Sequence, residues 1–148
     1  MLAEIGDTAA WWGVGGAVLG ALFSGFFTHY LTKDRDAAIR QSILDREADM
    51  RRRQFRKFLH CFRGRMERID HGDVVEIWRK YIELAPEFKG EVALVSGDFS
   101  DLMTFAKLAD AIGGWRYEDV KKEAERQGTN MRQVICDSID CLIKFVEH

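Results

Sequence analysis

Proline and cysteine are scarce in this 148-residue chain, with one and three copies respectively. That scarcity excludes collagen-like, proline-rich and disulfide-stapled architectures. Cys61, Cys136 and Cys141 form no Cys-x-x-Cys pair, so their spacing offers neither a zinc site nor a redox dithiol. The sequence also lacks Gly-x-x-x-x-Gly-Lys, His-Glu-x-x-His and Gly-x-Ser-x-Gly. His60 and Cys61 are neighbours in sequence, and on a helix they point about 100° apart, which does not make a nucleophile and base pair. Asp137 and Asp140 read as the solvated face of a helix. The expectation is a protein that is not an enzyme, with no cofactor and no metal.

Charge is the most informative absence. Residues 8–32 contain no Asp, Glu, Lys or Arg, although 31% of the whole chain is charged. At about 1.5 Å per residue, a helix of that length exceeds the roughly 30 Å hydrocarbon core of a bilayer. Trp11 and Trp12 at one end, and His29 and Tyr30 at the other, suit the headgroup level. A cleaved leader would need a basic start, whereas Glu4 and Asp7 precede this stretch. An interfacial helix would need a charged face. The reading is a single transmembrane helix.

Lys33, Arg35 and Arg40 follow the span and no basic residue precedes it, so the positive-inside rule puts the N-terminus outside and the rest in the cytoplasm. A bacterial inner membrane is the expected location, and the cysteines are expected as free thiols. Within the span, Gly16, Gly20, Ser24 and Thr28 recur every fourth residue. Ala9, Gly13, Ala17, Ala21 and Gly25 form a second ladder beside them. Such a strip lets another helix backbone approach closely, so Gly13, Gly16, Ala17, Gly20 and Ser24 are the candidate packing residues of a homo-oligomer.

The remainder reads as helix throughout. Residues 1–7 form a short outer segment, 8–32 the span, 33–50 a helical neck and 51–148 a cytoplasmic helical domain. The neck has scattered apolar positions at Ile39, Ile43, Leu44 and Met50, with Arg46 interrupting any heptad seam. Phe55, Phe58, Leu59, Phe62, Met66 and Ile69 form one apolar stripe. After a break at His71-Gly72, Asp73 is placed to cap a helix whose apolar face is Val74, Val75, Ile77, Trp78, Tyr81, Ile82 and Leu84. Pro86 marks a boundary and the first turn of a new helix, and Val92–Val95 reads as helix because a lone strand has no partner.

Asp98 or Ser100 would cap a helix through Leu102, Phe105, Leu108, Ala109 and Ile112, ended by Gly113 and Gly114. A charged segment follows to Arg126. Met131, Val134, Ile135, Ser138, Leu142, Phe145 and Val146 give a further helical stripe. The fold class is all-α: a transmembrane helix followed by a bundle of four to five helices.

The net charge of -2 hides a segregation. Residues 51–68 hold eight basic side chains against Glu67 alone, a local charge of +7, while residues 72–148 sum to -5. Arg51, Arg52, Arg53, Arg56, Lys57 and Arg63 are the candidate anion-binding residues, because guanidinium forks match phosphate geometry. A lipid-facing role is a second reading of the same weight, although on a straight helix Arg51 would lie several Debye lengths from the span. The plainer expectation, set against both, is that these arginines pair with acidic helices of the same bundle or of a neighbour, or simply face water.

The expected function is a self-associating membrane protein whose cytoplasmic bundle senses a ligand or protein partner and couples it to transmembrane packing. The ligand class in view is a nucleotide or other phosphate-rich molecule. In its sharper form this is a membrane-disrupting effector of bacterial antiviral defence. The alternative is a membrane-tethered adaptor that recruits a cytoplasmic protein and has no activity of its own.

Overall fold

The computed structural model describes the backbone of residues 5–148 and the side chains of residue 21 and residues 24–148. Five helices account for nearly all of it: α1 (Ile5–Glu67), α2 (Val74–Val95), α3 (Leu102–Gly113), α4 (Tyr117–Gln127) and α5 (Met131–Glu147). A short 3-10 turn, Ser96–Asp98, follows α2. There is no strand among the described residues, and residues 92–95 are the last turn of α2. The fold is all-α. The chain divides into two compact units, Met1–Asp45 and Arg46–His148, with α1 contributing residues to both.

Caps explain most of the helix ends in the second unit. Asp73 accepts the Glu76 N–H at 3.0 Å, as its position after the His71-Gly72 break predicts. Asp101 caps α3 by accepting the Thr104 N–H at 3.0 Å, which corrects the expectation of Asp98 or Ser100. Asp98 is engaged elsewhere, by Arg51. Asn130 caps α5 through the Gln133 N–H at 2.9 Å. Gly128, at φ +64°, takes the left-handed conformation that closes α4, a position where any side chain would be strained.

Pro86 is a second correction. It lies inside α2 rather than at a boundary. Its ring is exposed to solvent, while Leu84 before it and Phe88 after it are both buried. Burial of those flanking residues on one face outweighs the loss of a single helical hydrogen bond.

The core of the second unit is built from one stripe per helix. Phe55, Leu59, Phe62 and Met66 of α1 meet Ile77, Tyr81, Leu84 and Phe88 of α2, Phe105 and Ile112 of α3, Val120 of α4, and Ile135, Ile139 and Leu142 of α5. On α2 the buried residues follow steps of 4, 3 and 4, and this face excludes Val75 and Ile82, which are 79% and 54% exposed. Their assignment to the core face is therefore corrected, as is that of Leu102, which is also exposed. On α5 the buried face is wider than the sequence stripe. It takes in Cys136, Ile139 and Ile143, while Ser138 is half-buried with its hydroxyl donating to the Val134 carbonyl at 3.0 Å.

The first unit is described by α1 alone. Phe26, Phe27, Tyr30 and Leu31 are all more than half exposed, from 77% at Phe26 to 51% at Leu31. Ile39, Ile43 and Leu44 of the neck are exposed as well. The Thr28 hydroxyl donates to the Ser24 carbonyl at 2.6 Å, and that of Thr32 donates to the Thr28 carbonyl at 2.8 Å, so both polar groups are satisfied within the helix. Among the described residues no helix is long and apolar enough to cross a membrane. The span expected at residues 8–32 falls largely on side chains outside the described residues, as do Gly13, Gly16, Ala17 and Gly20 of the packing ladder. Ser24 is described and is exposed.

Candidate functional site

The basic band lies on the part of α1 that belongs to the second unit, where two groups of its residues have distinct surroundings. Arg51 and Arg63 are bracing residues. The Arg51 guanidinium donates from Nε and Nη2 to the two carboxylate oxygens of Asp98, at 2.8 and 2.7 Å. This fork holds the 3-10 turn to α1, and the Asp98 side chain is only 9% exposed. Arg63 donates from Nε to Asp140 of α5 at 2.5 Å and from Nη1 to Glu67 at 2.7 Å. Just beyond, Arg132 of α5 donates to the carbonyls of Ile69 and Glu67, at 2.8 and 3.2 Å, closing the C-terminal end of α1.

The Arg51 hydrogen bond holds the Asp98 carboxyl below the usual carboxylate range, with the charges of Arg51 and Arg52 adding to it against the opposing effect of burial. A carboxyl group whose folded pKa lies below its unfolded value stabilises the fold above that unfolded value and ceases to do so as pH falls through the folded one. Asp98→Asn is therefore expected to lower the urea midpoint at pH 7, with the gap to the native protein closing as pH falls below about 4. Midpoints measured between pH 7 and pH 3 check this, and a gap independent of pH would mean that the fork contributes no charge-dependent stability.

Arg52, Arg53 and Arg56 form the second group. They line a cleft of about 970 Å3 whose opposite walls come from α3 with its preceding loop and from α5. Phe99, Leu108, Phe145 and Val146 supply apolar surface there, and all four are half-buried. Phe99 stacks on the buried Phe105 with centroids 4.4 Å apart, and Phe145 lies 5.7 Å from Phe99 and 6.1 Å from Phe105. This aromatic wall is braced from the core side. Lys144 adds a cation from α5, beside Cys141 and His148. Lys57 is exposed on α1 and does not line this cleft.

Three carboxylates also line the cleft. Asp49 pairs with Arg52, Asp101 accepts the Thr104 N–H as the α3 cap, and Glu147 faces His60 at 3.8 Å. Arg53, Arg56 and Lys144 have no ion-pair partner among the described residues. The cleft therefore sets four cationic side chains against three carboxylates, an excess of one positive charge, beside an apolar wall.

Sequence reasoning placed Arg52, Arg53 and Arg56 but missed Lys144, Phe99, Leu108 and Phe145. No local signal marks these residues, because they reach the cleft from elements more than 40 positions away in sequence. Among the described residues no cluster of His, Cys, Asp and Glu is arranged to hold a metal ion. Cys136 is buried, and burial pushes its thiol up in pKa, away from the reactive thiolate form. No family model, curated protein or solved structure matches the chain.

Proposed function

We propose that this is a self-associating, single-pass membrane protein without enzymatic activity, whose cytoplasmic helical bundle senses a ligand and couples it to the packing of its membrane helices. The observation that carries the reading is the exposed set Phe26, Phe27, Tyr30 and Leu31 on the charge-free part of α1. A helix with such side chains and no packed face is marginal in water. A bilayer supplies the missing cover, and the back-bonded Thr28 and Thr32 hydroxyls suit a segment that has no water to bond. Because α1 also carries Arg53 and Arg56, ligand-dependent changes in the bundle act on the helix that enters the membrane. Two packings that differ by about a few kcal/mol suffice for such a switch. Opening a leak, as an antiviral effector would, is the sharper form of this output.

Membrane fractionation with an alkaline wash tests the span: the protein is expected to stay with the membrane, and its release would overturn the reading. In the same membranes, Gly16→Leu with Gly20→Leu is expected to reduce cross-linked oligomer about tenfold or more, by blocking close helix approach. An unchanged cross-linking pattern would remove the glycine ladder from the mechanism. A membrane-tethered adaptor is the second reading, favoured by the exposed Leu94 and Met103 on the bundle, which offer a protein partner an apolar surface. An adaptor would keep its recruiting function in the double glycine variant, whereas a packing-coupled sensor would lose its output.

A further inference from the structure

The cleft bounded by α1, α3 and α5 has a chemistry more specific than a general affinity for anions. Arg53 and Arg56 are one helical turn apart on α1, and Lys144 faces the same space from α5. Four cations face three carboxylates there, with Asp49 paired to Arg52, and Arg53, Arg56 and Lys144 are the cations left without an ion-pair partner to meet an oxyanion. A field for anions alone would need no apolar lining. Here Phe99, Leu108, Phe145 and Val146 stay half-buried within the cleft, and Phe99 is fixed in place by its stack on Phe105. A site of this size and composition takes a ligand with two ends: one that is charged and one that lies against aromatic and aliphatic side chains.

We propose that this cleft binds a small organic phosphate, with the phosphate on Arg53, Arg56 and Lys144 and a flat or apolar body against Phe99 and Phe145. This specifies the ligand of the sensing reading above and rests on that reading only for its consequence at the membrane. A nucleoside phosphate and an anionic lipid headgroup with its glyceride body share this chemistry. The aromatic share of the wall favours a planar body.

The test uses the full-length protein in mild detergent and equilibrium dialysis with three probes: AMP, ATP and inorganic phosphate. A separate arm uses flotation with vesicles of phosphatidylcholine, with and without phosphatidylglycerol. Saturable binding of AMP or ATP is expected, at least tenfold tighter than that of inorganic phosphate because the body adds contacts. Arg53→Gln with Arg56→Gln is expected to weaken it about tenfold or more. Both residues are exposed, so the helical circular dichroism should be retained. Phe145→Ala should weaken nucleotide binding severalfold and leave inorganic phosphate unchanged, whereas Lys57→Gln should change neither by more than about twofold.

Phosphatidylglycerol-dependent flotation in place of nucleotide binding, lost in the Arg53 and Arg56 double variant and retained in Lys57→Gln, would identify the lipid source of the same chemistry. The proposal is overturned if no probe binds saturably and no lipid-dependent flotation occurs. Equal weakening by Lys57→Gln would also overturn it, because a diffuse basic surface would then be the cause. A protein that stays in the membrane but binds none of the probes loses this proposal alone. A protein that binds AMP but is released by the alkaline wash loses the membrane reading alone.

Discussion

Phe88→Ala is expected to lower the unfolding free energy of the bundle by about 3–5 kcal/mol. The Phe88 ring is 1% exposed and sits 6.4, 6.5 and 6.0 Å, centroid to centroid, from Phe55, Phe58 and Phe62. All three partners belong to α1, so this side chain ties α2 to α1. Truncation removes the transferred apolar area and leaves a void that three rings on one rigid helix cannot collapse into. Domains of this size have about 5–15 kcal/mol in total, so the variant approaches the limit of folding. Urea unfolding of the purified protein, followed by near-ultraviolet circular dichroism, measures it. A loss under about 1 kcal/mol would show that α1 is held to the bundle by its ion pairs and not by these rings.

Tyr81→Phe is expected to cost about 1–3 kcal/mol, although only one oxygen atom is removed. The Tyr81 phenol is buried and donates to the Ile112 carbonyl at 2.6 Å, in the last turn of α3. Without it that carbonyl loses its side-chain donor in an apolar setting, and the desolvation penalty falls on the folded state. Trp115 lies close, with ring centroids 6.0 Å from Tyr81, so its fluorescence reports on the α3–α4 junction.

The same group sets an alkaline limit. Burial pushes the Tyr81 phenol above the ordinary tyrosine pKa of 10.0, with the Trp115 backbone hydrogen bond opposing in part. A neutral acid whose folded pKa is raised stabilises the fold below its unfolded value and loses that contribution as pH rises towards the folded one. The native protein should therefore lose stability faster than Tyr81→Phe above about pH 10. Parallel slopes for the two proteins in that range would refute the assignment.

How far these features can be read from the chain depends on whether their cause is local. The α1 stripe from Phe55 to Ile69 and the Asp73 cap are legible, because spacing and cap chemistry act within a few residues of each other. Pro86 misleads because the boundary rule knows only the missing N–H and not the buried Phe88 that keeps α2 going. Val75 and Ile82 have the right chemistry for the core but lie off the face that packing selects.

The basic band shows the limit most clearly. Arg51 and Arg53 are alike in any local reading, yet one braces a turn and the other lines a cleft, because Asp98 lies 47 positions from Arg51. The cleft itself is assembled from three separated elements, so only its α1 wall left a pattern in the sequence.

The two clamps between α1 and α5 also order events during synthesis. Arg63 meets Asp140 across 77 positions, and Arg132 reaches the Glu67 carbonyl across 65. Until α5 has left the ribosome, the C-terminal end of α1 has neither Asp140 for Arg63 nor Arg132 as a donor to its last carbonyl. The bundle therefore completes late, after the whole of α1 has left the ribosome. The cleft walls supplied by α5 appear only then, so an incomplete chain holds the arginines without the site.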